Sequence, residues 1–239
     1  MAKLKHAVCV LSALIFSYTA AYAAKSEYDN IHTVAVVPVI GETFTFARLG
    51  ATIFGPNEQK TMPITDWGID QAVVDQIQTL LSGRFTFKPI DIKAMQAASI
   101  PGIYLRSLPP DSGIDAYILV SNGSFQPPST PSYLRGLGIY THDGLFADLY
   151  AYYAVYDVSV YDAKTFKRID GGRARMDDGG FLSYTPALRD AEKSAWADAP
   201  EVMTDQQRQA AKAAIEPLVQ ESLPHALRDA GLLDAPGKP

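Results

Sequence analysis

The sequence predicts an α/β (α+β) protein: a mixed β-sheet containing an antiparallel meander, with helices packed on it and a helical C-terminus. Three observations carry this. The run from His32 to Ile40 is almost entirely β-branched, as in a strand covered on both faces in the middle of a sheet. Residues 145–161 alternate with period two over an unusual length. From Thr204 onward the apolar positions recur at helical spacing instead.

Each element follows in order. After the first strand, residues 41–63 alternate only weakly and contain Gly50, Gly55 and Pro56, so an irregular hairpin or long loop is expected. Asp66 is placed to cap a helix running through Ser82, in which Ile69, Val73, Ile77, Leu80 and Leu81 share a stripe and Gly83 marks the stop. A short strand over 85–90 and a second helix over 92–98, capped by Asp91, come next. The stretch 101–110 reads as a turn. Residues 116–120 form another buried strand running toward Phe125, and the Pro-rich 126–132 segment connects it onward.

In the long alternating strand, Tyr150, Tyr152, Ala154, Tyr156, Val158 and Val160 share one face, and Tyr153, Val155, Asp157, Ser159 and Tyr161 the other. A turn over 162–165 leads to a paired strand over 167–176. The C-terminal stripe of Ala210, Ala211, Ala214, Ile215, Leu218, Val219, Leu223 and Leu227 is interrupted by Pro217 and Pro224. Two or three successive helical segments are expected there, because proline removes an N–H and crowds the preceding turn.

The N-terminus determines the cellular address. Lys3 and Lys5, an apolar run over 7–16 and Ala21-Tyr22-Ala23 have the three parts of a cleavable secretory signal, so residues 1–23 are expected to be removed and 24–239 to form a single domain with a helical segment from about residue 204. Ser12, Ser17, Tyr18 and Thr19 interrupt the run too early for a retained span of about 20 apolar residues. Cys9, the one cysteine, sits inside that run and not at its exit, which argues against lipidation. The expected protein is periplasmic or secreted, with no stable membrane anchor after cleavage.

Cleavage also removes Cys9, excluding disulfides, thiolate metal sites and a thiol nucleophile from the mature chain. The formal charge of −5 becomes −7 once Lys3 and Lys5 are lost. No basic stripe offsets it, which argues against nucleic-acid binding. A mature chain of this length buries roughly 70% of its unfolded surface, ample for an ordinary core.

Candidate chemistry is sparse. His32, His142 and His225 have no H-x-x-x-H or H-x-H spacing for zinc. Ser124 lies in Asn122-Gly-Ser-Phe, which lacks the second glycine of a nucleophile elbow, and reads as a strand exit. Gly136-Leu-Gly138 lacks the remainder of a phosphate loop and reads as a tight hairpin bend. Asp177-Asp178-Gly-Gly180 lacks the alternating oxygen ligands of a calcium loop and reads as a solvated turn. Glu42, at the exit of the first strand, is the acid best placed for carboxylate chemistry. No catalytic residue, metal ligand or cofactor site is assigned.

Four motifs resemble the periplasmic α/β domains of the TolB amino-terminal and curli-secretion lipoprotein type. They are Val34-Ala-Val-Val-Pro-Val39, the helix-to-strand stretch 74–87, Asp115-Ala-Tyr-Ile-Leu-Val120, and Val158-Ser-Val-Tyr-Asp-Ala-Lys-Thr165. Phe166 stands where that pattern has glycine. The resemblance implies an envelope protein that docks other proteins, with no catalytic residues to transfer.

The functional expectation is therefore a non-enzymatic exported protein presenting an interaction surface to one or more envelope proteins, with an oligomer possible. Phe44, Phe46, Phe54, Tyr153 and Tyr161 are the expected contact residues. Two alternatives stay open. A carboxylate-dependent hydrolase acting on envelope glycan requires two converging acids, and a small-ligand carrier requires a closed apolar cavity.

Overall fold

The computed structural model describes residues 28–50, 57–90, 113–128, 130, 132–142, 149–176 and 186–234. The chain forms two units, residues 1–32 and 33–239. Of the first, the described part is a turn in which the Ile31 N–H donates to the Tyr28 carbonyl at 3.0 Å. The expected signal segment, Phe54, the helix expected over 92–98, the turn expected over 101–110 and the Asp177–Gly180 cluster lie outside the described residues.

The second unit is a mixed sheet with two helices packed on it, as the patterning predicts. Its strands are β1 (Thr33–Val39), β2 (Thr43–Leu49), β3 (Glu58–Pro63), β4 (Thr86–Phe87), β5 (Ala116–Asn122), β6 (Ser124–Phe125), β7 (Leu134–His142), β8 (Leu149–Asp162), β9 (Arg168–Arg173) and β10 (Ala187–Asp190). Its helices are α1 (Ile69–Leu81) and α2 (Asp205–Asp229). The main sheet runs β3-β2-β7-β8-β5-β1-β4. Pairings β1–β5, β1–β4 and β2–β7 are parallel, and β7–β8, β5–β8 and β2–β3 are antiparallel.

The 14-residue β8 is the spine. Its first half pairs with β7 and β10, and its second half with β5 and β9. Strong alternation over so many residues is what lets one strand serve four partners without turning its core face to solvent. α2 lies across β8, β9 and β10 and against α1, while α1 covers β1. Where α2 crosses β9, Gly172 brings the backbones together: a side chain there would collide with the Ala226 carbonyl.

One local expectation is sharpened and four are corrected. Of the hairpin and long-loop readings of residues 41–63, the hairpin holds: Thr43–Leu49 pairs antiparallel with Glu58–Pro63, and it is an interior strand, hydrogen-bonded on its other side to β7. The weak alternation arises because Phe44, Phe46, Ala47 and Leu49 are buried on both faces of β2. Gly136 and Gly138 lie within β7, not in a bend. Gly138 is required because a Cβ there would collide with the Thr45 carbonyl of β2 and the Tyr153 phenol, and Gly136 adopts φ +64°.

Asp66 does not cap α1. A short 3-10 turn (Thr65–Trp67) intervenes, Gly68 at φ +74° precedes the helix, and Asp66 pairs with Arg208 at 2.7 Å. Finally, α2 is one continuous 25-residue helix despite Pro217 and Pro224. β1 lies near an edge of the sheet and not at its middle, although both of its faces are buried.

Phe166 occupies the position where the four-motif pattern has glycine. Its φ of +54° shows why glycine suits that turn. Stacking of its ring on Tyr117, 6.5 Å between centroids and 2° between planes, holds the conformation. Asp162 shapes the same turn. Its Oδ1 accepts from the Lys164 N–H, the Thr165 N–H and the Thr165 hydroxyl at 3.1, 2.6 and 2.8 Å. Those hydrogen bonds, the Thr165 hydroxyl first, hold its carboxyl below the usual carboxylate range.

Candidate functional site

The segment between β10 and α2 builds an open surface cleft. β10 runs antiparallel to β8, with Arg189 opposite Tyr152 and Asp190 opposite Ala151. The pairing continues as the Ala191 N–H donates to the Tyr150 carbonyl at 2.9 Å. The chain then leaves the sheet through two 3-10 turns (Lys193–Ala195 and Pro200–Val202) and enters α2 at Thr204.

That entry is a full capping box. The Thr204 hydroxyl accepts from the Gln207 N–H, and the Gln207 side chain accepts from the Thr204 N–H at 2.9 Å. Gln207 also fastens the excursion: its Nε2 donates to the carbonyls of Ser194 and Trp196, both at 3.0 Å.

This arrangement leaves an open cleft of about 490 Å³ between β10 and the first turns of α2. Tyr152 lies at its base, with Asp190, Glu192, Ser194, Thr204 and Gln206 among the polar walls and Ala191, Ala195 and Ala210 among the apolar ones. Tyr152 is buried and its hydroxyl has no hydrogen-bond partner within the protein. Burial raises its ionisation above the ordinary tyrosine range.

Beside the cleft lies a half-buried tryptophan. The Trp196 ring meets Phe46 at 6.1 Å and Tyr150 at 6.3 Å, and the Arg48 guanidinium sits 5.9 Å from its centroid. Trp196 Nε1 donates to Asp198 Oδ1 at 3.1 Å, and the same oxygen accepts from Arg48 at 2.8 Å. Lys60 on β3 donates to the Asp198 carbonyl at 3.3 Å. An aromatic platform is thus framed by Arg48 of β2, Lys60 of β3 and Asp198 of the segment between the two 3-10 turns.

Of the sequence-expected contact residues, Phe46 meets the Trp196 ring from within the core, and Phe54 lies outside the described residues. Phe44, Phe46 and Tyr153 are core residues, 0%, 2% and 0% exposed, so they cannot present a surface. Phe44 packs on Trp67 and Phe46, facing the helices. Tyr153 fills a second core with Ala47, Leu49, Leu134, Tyr140, Ala151 and Val155 on the opposite face. Burial pushes its hydroxyl far above the usual range, with Thr45 partly opposing the shift. Tyr161 is half-buried against Ala35, Val37, Tyr117 and their neighbours. Sequence reasoning missed Trp196 because a lone tryptophan in an irregular stretch carries no periodic signal.

Glu42 does meet another acid. It adjoins Asp70 at the start of α1, and both carboxyls are raised, each by burial first, with Asp70 adding repulsion at Glu42. Asp70 already has a structural task. Its Oδ1 accepts from the N–H groups of Ile40 and Gly41 at 3.1 and 2.8 Å, tying the exit of β1 to α1. His142 ends β7 with a buried, unpartnered Nε2, and His225 lies 3.4 Å from Arg228. Among the described residues, no group of three or more His, Cys, Asp or Glu is arranged to hold a metal ion, and no helix is long and apolar enough to cross a membrane.

No protein-family model matches the chain, and no curated protein matches it by sequence. Among the solved structures that resemble it weakly are two of low identity. One is a lipoprotein from Neisseria meningitidis, 9% identical, covering 79% of this chain and 98% of its own, with a TM-score of 0.32. The other is a DUF330 protein from Xanthomonas campestris, 9% identical, covering 84% of this chain and 85% of its own, with a TM-score of 0.39. Scores of this size establish no shared function.

Proposed function

We propose that this is a non-enzymatic exported protein that docks an envelope protein through the Trp196 face. The observation that carries the reading is the Trp196 platform, held between Phe46 and Tyr150 under Arg48. Tryptophan, tyrosine and arginine dominate the energetics of protein interfaces, because each offers a large contact area together with a polar handle. Here the strands β2 and β8 fix that platform before any partner arrives, which lowers the ordering cost of association. The secretory pattern of residues 1–23 supports an envelope address.

The test is site-specific photo-crosslinking in the intact envelope, with the probe at position 196 or, as a control, at the exposed Tyr133. A discrete adduct formed from 196 and lost on Arg48→Ala is the expected result. Adducts from 133 with none from 196 would overturn the docking assignment. Recovery of the chain in the cytosol with its N-terminus intact would overturn the export assignment.

The hydrolase alternative has two pairs of acids in its favour. Glu42 adjoins Asp70 and both are raised by burial, but Asp70 is committed to the Ile40 and Gly41 N–H groups. Asp190 and Glu192 line the same cleft, but both are exposed, whereas a general acid retains its proton at neutral pH through burial. The docking reading is therefore preferred.

A further inference from the structure

We propose that the cleft between β10 and α2 binds a small organic cation: a protonated amine carried on a short alkyl or sugar frame. The inference goes beyond the docking reading and uses different residues. Its volume of about 490 Å³ falls within the range of small-molecule sites. Asp190 and Glu192 stand on the wall, and none of the ten lining residues is lysine or arginine. The cation next to them on β10, Arg189, is engaged with Glu221 at 3.1 and 3.2 Å.

The start of α2 would ordinarily favour an anion, through its partial positive charge and free N–H groups. Here the capping box occupies the Gln207 N–H and Asp205 answers the dipole in the first turn. Two wall carboxylates then set the sign of the ligand.

Tyr152 supplies the independent mark of a ligand site. It is 5% exposed and its hydroxyl meets no protein partner. A buried hydroxyl left unpaired is costly, and a ligand amine or hydroxyl entering the cleft would relieve that cost after a small shift of the ring. Ala191, Ala195 and Ala210 offer short apolar walls that suit a methylene stem or a sugar face.

The experiment titrates the mature protein with spermidine and, separately, with glucosamine, following backbone amide shifts by NMR at low ionic strength. Saturable shifts confined to residues 190–210, with a Kd of about 1 mM or tighter, are expected for at least one probe. The double variant Asp190→Asn/Glu192→Gln should weaken binding about tenfold or more, since it removes the charge-assisted contacts. Tyr152→Phe should weaken it about threefold to tenfold, through loss of one hydroxyl.

A response to spermidine alone assigns a linear polyamine, and a response to glucosamine alone assigns an aminosugar. The proposal fails if neither probe gives saturable shifts, or if the double variant, folded by circular dichroism, binds as tightly as the parent.

Discussion

Gln76 on α1 donates its Nε2–H to the main-chain carbonyl of Gln220 on α2 at 2.7 Å. Gln220 is four residues before Pro224, so this is the carbonyl that a proline-free helix would have satisfied internally. A side chain from the neighbouring helix takes the place of the missing backbone donor. The corresponding carbonyl for Pro217 belongs to Ala213, an exposed residue within reach of water. Both interruptions are thereby resolved, and α2 runs unbroken.

Gln76→Ala should therefore cost about 1 kcal/mol in urea unfolding, the net worth of one such hydrogen bond. In a Pro224→Ala background the same change should cost clearly less, because the backbone N–H restored at position 224 serves the Gln220 carbonyl. Equal costs in the two backgrounds would show that Gln76 acts through packing alone.

The Asp70 clamp gives a pH dependence with a defined sign. Its carboxyl is raised in the folded state, burial outweighing the two N–H donors. The folded protein thus holds this proton more tightly than the unfolded chain does. The contribution is fully present below the unfolded value and is lost as pH rises through the folded one. Asp70→Asn keeps an acceptor for Ile40 and Gly41 and cannot ionise, so its stability relative to wild type should grow between about pH 4 and pH 7. Asp70→Ala should lose about 1–3 kcal/mol, since it strands both N–H groups. Chemical denaturation of the three proteins across that range reads both effects.

Tyr156 anchors α2 to the spine strand from within the core. Its hydroxyl lies 3.1 Å from the Val219 carbonyl and 2.8 Å from the Ser222 hydroxyl, which itself donates to the Leu218 carbonyl at 2.6 Å. Tyr156→Phe should destabilise by about 1–2 kcal/mol, leaving Ser222 with a poorer set of partners. Ser222→Ala should cost less after Tyr156→Phe than before it. A double-mutant cycle measures that coupling.

Gly172→Ala should be among the most damaging small substitutions in the chain. The added methyl meets the Ala226 carbonyl and the Asp229 side chain, and backbone on a packed helix cannot yield cheaply. A loss of about 1–3 kcal/mol is expected, as for overpacked cores. A thermal melt lowered by several degrees would register it, whereas the open position Gly83 should accept alanine with little change.

Several features were legible because they depend on local pattern. The alternation of 150–160 announced β8, and the stripe Ile69, Val73, Ile77, Leu81 announced the buried face of α1. β7 escaped because Gly136 and Gly138 carry the composition of a turn, and only the close approach of the Thr45 carbonyl and the Tyr153 phenol explains Gly138. The contact residues were misplaced for a related reason. Aromatic alternation on Phe44, Phe46 and Tyr153 looks the same whether a face meets solvent or a helix.

By itself, the sequence determined β1, α1, β5, β8 and β9, the acidic balance of the chain and the secretory pattern at its start, since each is a property of neighbouring residues. Tertiary structure alone decided which strands pair in parallel, that both faces of β8 are buried, that α2 continues through two prolines, and that Tyr152, Glu192 and Thr204 border one cleft. These depend on groups distant in the chain meeting in space. The partner that satisfies a carbonyl, or covers a ring, leaves no periodic trace beside the residue it serves.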